Sequence, residues 1–124
     1  MDKWKYDTPA LNKDRTYASA CSLGDSIFVF VGTGYWDDLY YSVERINVPQ
    51  IESGKAAWEL IQLPIEVVQP RELPVVVPLN KSEIVILGGC CGDDYDEIHL
   101  SDIVVLNVKT KACRKVSDWG DYKF

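Results

Sequence analysis

Two stretches decide how this chain is read: Ile27-Phe28-Val29-Phe30-Val31, closed by Gly32-Thr33-Gly34, and Ile84-Val85-Ile86-Leu87, closed by Gly88-Gly89. Each is a continuous run of β-branched, aliphatic and aromatic residues, too short for a helix and bounded by glycine. That is the pattern of a strand buried on both faces. A turn signal precedes each run, Gly24-Asp25-Ser26 in one case and Asn80-Lys81-Ser82 in the other. Before those turns, Ala18-Ser19-Ala20-Cys21-Ser22-Leu23 and Pro74-Val75-Val76-Val77-Pro78-Leu79 read as the partner strands of hairpins.

Working outward, the likeness extends well beyond the two runs. Arg15 and Arg71 lie 56 residues apart, as do Gly32 and Gly88. Downstream, the segment from Ser42 to Val48 matches that from Ser101 to Val108, and Asn47 to Asn107 is 60, which places four extra residues in the second intervening loop. A turn and a further short strand follow each Asn, over Ala57–Ile61 and Ala112–Val116. Trp4-Lys5-Tyr6, then Pro9 and Arg15, is an order repeated by Trp58, Pro64 and Arg71. The chain therefore reads as all-β, with two consecutive four-stranded antiparallel meanders. A single small β-sandwich is the alternative, and five landmarks in register weigh against it.

These landmarks resemble the kelch repeat family, whose units carry an Arg before the first strand, an apolar run ending in Gly-Gly, a polar turn after the third strand, and then a Trp. The second unit matches through Arg71, Ile84 to Leu87, Gly88-Gly89 and the turn Asn107-Val108-Lys109-Thr110; the first matches through Arg15, Ile27 to Val31, Gly32 and Trp58. The first unit departs in having Gly32-Thr33 at the glycine pair, and the second in having Cys113 near the Trp position. Ile46 and Leu106 stand where the family usually shows an aromatic. The resemblance implies blades of a β-propeller, like those of the central domain of galactose oxidase. Residues 3–6 then end a preceding blade, 15–63 and 71–117 form two blades, and 118–124 are a tail. Closed propellers use roughly 4–8 blades, so two would leave the ring incomplete. On this reading the chain is either part of a longer one or completes its propeller by self-association. Trp58, as a ring filling space between stacked sheets, would cost about 3–5 kcal/mol when cut to alanine.

Thirteen basic against nineteen acidic residues give a net charge of −6, which argues against a counterion-releasing nucleic-acid surface and against docking on anionic lipid. No apolar stretch reaches the length of a membrane span, and Met1 to Tyr6 lack the apolar core of a signal peptide. The four cysteines, Cys21, Cys90, Cys91 and Cys113, read as reduced thiols of a cytoplasmic protein packing as small apolar groups.

Two loops between second and third strands hold the candidate binding residues: Tyr35, Trp36, Asp37 and Asp38 in the first, Asp93, Asp94, Tyr95 and Asp96 in the second. Aromatics interleaved with carboxylates grip Arg and Lys through cation–π contact and charge-assisted hydrogen bonds, so the expected partner is a protein with a basic surface. A solvated acidic loop is the plain alternative. Calcium at Asp93, Asp94, Asp96 and Glu97 lacks the alternating loop and distant Glu of an EF-hand. Zinc at Cys90, Cys91 and His99 lacks structural-site spacing. No metal and no cofactor is expected. His99 is the only histidine and has no nucleophile elbow near it. The Glu-x3-Asp-x3-His pattern of iron-dependent kelch proteins fails because Tyr95 stands four before His99, and a copper-radical ligand set would need more blades. The expected function is thus a non-catalytic protein-interaction module. The alternative is a piece of a kelch-type sugar- or small-molecule-processing enzyme.

Overall fold

A computed structural model of the protein describes residues 9–34, 40–91 and 98–118, the side chains of 117 and 118 excepted. Strands β1 (Ser19–Leu23), β2 (Ser26–Phe30), β3 (Ser42–Asn47) and β4 (Glu59–Gln62) pair in that order as an antiparallel meander, with a short helix α1 (Val48–Glu52) between the last two. A second meander follows the same plan with β5 (Val75–Pro78), β6 (Glu83–Leu87), β9 (Asp102–Asn107) and β10 (Cys113–Asp118). A small hairpin of β7 (Cys90–Cys91) and β8 (Ile98–His99) sits between β6 and β9. The chain is therefore all-β in its described sheets, and the eight strands read from the sequence between Ala18 and Val116 form within a residue or two of their expected places. Trp4-Lys5-Tyr6 and the segment after Asp118 lie outside the described residues.

The turn after Asn47 is the one place where helix replaces an expected turn. The Asn47 side chain accepts a hydrogen bond from Gln50 N at 3.3 Å, and Pro49 presets the first helical turn. Asn107 does the same work for a plain turn, accepting from Lys109 N at 2.9 Å and Thr110 N at 3.0 Å. The 60-residue spacing of these asparagines is a true structural equivalence: β2–β3 and β6–β9 pair in matching register about them.

The glycine spacing needs correction. Gly32 has φ +100 and Gly89 has φ +101, while Val31 (φ 50) matches Gly88 (φ 59). Gly32 is therefore equivalent to Gly89, 57 residues on, and the glycine pair of the second unit answers to Val31-Gly32 rather than Gly32-Thr33. The bridges Thr16↔Thr33 and Glu72↔Cys90 agree. The extra residue lies in the β5–β6 hairpin, where Asn80-Lys81-Ser82 replaces Gly24-Asp25 and Asn80 Oδ1 accepts from Ser82 N at 2.9 Å. Three extra residues, not four, then remain in the next loop (60 − 57).

The register also shows which glycine matters. A Cβ on Gly32 would stand 2.7 Å from Thr16 O, and one on Gly89 would stand 2.8 Å from Glu72 O. Backbone approaches too closely there for any side chain. The preceding position is less strict. Val31 is fully buried, and burying it gains about 1.5–3 kcal/mol, which offsets the roughly 1–3 kcal/mol cost of its left-handed backbone.

One core joins the two sheets. Phe28, Phe30, Val43 and Ile61 lie on one face of the first sheet, and Ile84, Ile86, Val104 and Leu106 lie on one face of the second. Leu63 and Val68, from the connecting segment, complete the cluster. The runs are not buried on both faces as expected. In the first run Ile27 is 37% exposed and Val29 half-buried, and in the second Val85 and Leu87 are half-buried.

Trp58 also departs from expectation. It directly precedes β4, and extending the register one residue past Arg45↔Glu59 sets it level with Ile46, as Cys113 stands opposite Leu106. Yet it is only half-buried and lies outside the core, with its indole Nε1 donating to Pro9 O at 2.8 Å. It clips the N-terminal segment to β4. Trp58→Ala should therefore cost about 1–2 kcal/mol in a urea titration, not the larger sum expected of a core ring.

Cys113 packs against the core from β10, and burial pushes its thiol up to about 11 from an ordinary 9. A thiol so shifted holds on the order of 100-fold less thiolate at neutral pH. Alkylation of the folded protein at pH 8 should leave Cys113 behind by about that factor relative to the urea-unfolded chain, with peptide mass spectrometry reporting the site.

Candidate binding site at two loop stems

The sheets are anchored by two buried ion pairs, one at the head of each unit. Arg15 Nε donates to Glu44 Oε2 at 3.1 Å, its Nη1 to Val31 O and Ser42 O, and its Nη2 to Ser42 Oγ at 2.8 Å. Arg71 donates to both oxygens of Asp102, at 2.5 and 2.7 Å, and to Gly88 O and Gln69 O. The same carbonyl, that of the first left-handed residue, is bound in both units. The carboxylate differs: Asp102 occupies the position of Ser42, whereas Glu44 reaches back from two residues further along β3. Burial pulls the Arg15 guanidinium below its ordinary value, opposed by Glu44 and by the Tyr40 phenol. The arginines were visible in the sequence as landmarks, but Glu44 and Asp102 were not visible as their partners.

These pairs hold the points from which the two candidate loops spring. In the first unit Thr16 and Thr33 exchange backbone hydrogen bonds at 2.8 and 2.9 Å, and Tyr40 N donates to Gly32 O. In the second, Glu72 and Cys90 exchange bonds at 2.9 and 3.0 Å, and Leu100 N donates to Gly89 O. Both stems thus close in the same way and at the same end of their sheets.

Glu72 then joins the stems to each other. Its carboxylate accepts a short hydrogen bond from Thr33 Oγ1, while its other oxygen lies 3.9 Å from Cys90 Sγ. Gln69 Nε2 reaches Cys91 Sγ at 3.2 Å. On the first stem the Tyr40 ring receives Lys13 Nζ and Arg15, each 5.1 Å from its centroid. The Tyr40 hydroxyl fills the space where Gly34 would carry a Cβ.

The eight candidate binding residues, Tyr35, Trp36, Asp37, Asp38, Asp93, Asp94, Tyr95 and Asp96, lie outside the described residues, as does Glu97 of the calcium candidate. What is described is their flanks, Gly34 and Tyr40 on one loop and Cys91 and Ile98 on the other. His99 is exposed beside the second stem. Among the described residues no three His, Cys, Asp or Glu side chains converge as a metal site. No described helix is long and apolar enough to cross a membrane. No disulfide links the four cysteines.

An open cavity of about 480 Å³ adjoins the second stem, lined by Leu73, Val75, Leu87, Gly89, His99 and Leu100 among others. A smaller one of about 230 Å³ lies between Arg45 and Glu59 at the far end of the first sheet. No family model matches the chain, and no curated protein matches it.

Proposed function

We propose that the two sheets are consecutive blades of a kelch-type propeller, and that the chain is a non-catalytic cytoplasmic module that binds a protein partner through the two loops. The observation that carries this reading is Glu72, which ties Thr33 and Cys90 together and so sets the roots of both acidic, aromatic loops side by side. Loops that spring from neighbouring paired strands are common places for a partner to bind. The repeat supports the blade assignment: both units share an Arg-to-carbonyl anchor, a glycine at φ near +100 and an Asn-closed turn.

The partner surface expected is basic, offering Arg or Lys. Partner proteins captured from a lysate and then purified should bind the wild type with an affinity that falls as salt rises. Tyr35→Ala combined with Asp94→Ala should weaken that binding at least about tenfold, the worth of one lost hot-spot contact, with urea stability unchanged. Equal binding by the double variant would remove the loops from the interface.

A further inference from the structure

The sheets stack in one direction, with consequences for both uncovered faces. The face of the first sheet that enters the core carries Cys21, Phe28, Phe30, Val43 and Arg45. By the structural offsets, its equivalents in the second sheet are Val77, Val85, Leu87, Ile103 and Val105, which share one face by register. That face is open along β5, where Val75 is 57% and Val77 45% exposed, and closes toward Val105, which is buried. Conversely, the second sheet enters the core through Val76, Ile84, Ile86 and Leu106, whose equivalents in the first sheet are Ala20, Ile27, Val29 and Ile46. On that side Ala20 and Ile27 are exposed and Val29 is half-buried, while Ile46 and Glu44, the equivalent of Val104, are buried, Glu44 beneath Asn12, Lys13 and Arg15, which donate to it. The chain thus presents, on opposite sides, both halves of an interface it already forms internally.

The backbone carries the same complementarity. Across the internal interface Gly32 N donates to Arg71 O at 3.0 Å and Leu73 N donates to Tyr17 O at 2.9 Å. Gly89 N and Leu73 O are the second-sheet equivalents of that donor and acceptor, and both border the 480 Å³ cavity. Arg15 O and Tyr17 N are the equivalents of Arg71 O and Leu73 N. Tyr17 is 62% exposed on its side of the molecule, and Leu73 is 53% exposed on the other.

We infer that the open face of the second sheet, around Val75, Val77 and Leu87, binds the first sheet of a second copy of this chain, with Gly89 N and Leu73 O taking its Arg15–Tyr17 segment. The contact is head-to-tail, so copies continue round a ring or along a filament according to the rotation between them. It rests on the repeat in the backbone and not on the loop-binding reading.

Sedimentation of the full chain up to about 100 µM should show mass rising with concentration. Val77→Glu blocks one face and Ile27→Glu the other; each variant alone should sediment as a monomer. Mixed in equal amounts, the two should form a complex of two chains and nothing larger, because one intact face of each kind remains. A wild type that stays monomeric, a mixture that stays monomeric, or a Val77→Glu protein that still associates would each overturn the inference. The Tyr35→Ala, Asp94→Ala protein should associate like the wild type, which keeps this result separate from loop binding.

Discussion

Arg71→Ala should remove about 3–5 kcal/mol of folding stability, read as a lower urea midpoint with an unchanged slope. The guanidinium is fully buried and meets Asp102 bidentately, so deletion leaves a carboxylate nearly out of water with its partner gone. Two carbonyls, Gln69 O and Gly88 O, lose donors at the same time. Those carbonyls are why replacing both charges with apolar groups should not restore stability here. Arg71→Met with Asp102→Leu removes the stranded charge but leaves the backbone acceptors unmet, each costing about 1–3 kcal/mol. Recovery of full stability by that double variant would show that the pair, not the carbonyl anchoring, sets the cost. Because Glu72 follows directly and joins both loop stems, Arg71→Ala should also impair partner binding at denaturant levels where it is still folded.

Phe28→Ala should cost a similar amount, about 3–5 kcal/mol, in the same titration. Phe28 is fully buried at the centre of the cluster, tilted against Phe30 with ring centroids 6.4 Å apart, and Arg45 lies 5.7 Å over its face. Its removal opens a cavity at the seam between the sheets, where neither strand of the hairpin can close in without breaking register with β3. Phe28→Leu, which retains most of the volume, should lose less than about half as much. A loss for Phe28→Ala below 1 kcal/mol, of the size expected for half-exposed Val29, would mean that the two sheets do not share a core.

Much of this was legible in the residues. Runs of β-branched residues bounded by turns can hardly form anything but strands, because period and length leave no helical solution. Asn47 and Asn107 announced their turns because a short side-chain amide caps the backbone locally, needing no distant partner. The same locality made Arg15 and Arg71 visible as recurring letters. It could not show what they bind, since Glu44 and Asp102 sit 29 and 31 residues away and come from different positions of their strands.

The glycine pair shows the limit of spacing arguments. A count of letters aligned Gly32 with Gly88, because one residue added to the Asn80 hairpin is invisible until register is known. Only the close approach of Thr16 O and Glu72 O to the two backbones reveals Gly32 and Gly89 as the obligatory pair, and only burial explains a valine in a left-handed conformation. The sequence alone thus determined the strands, their order within each unit and the fact of repetition, all consequences of local period and turn chemistry. Which face of each sheet is buried, which charges pair, where Trp58 sits and how the loop stems meet through Glu72 were decided by tertiary structure. Those depend on how one sheet lies against the next, and nothing within a single strand encodes that.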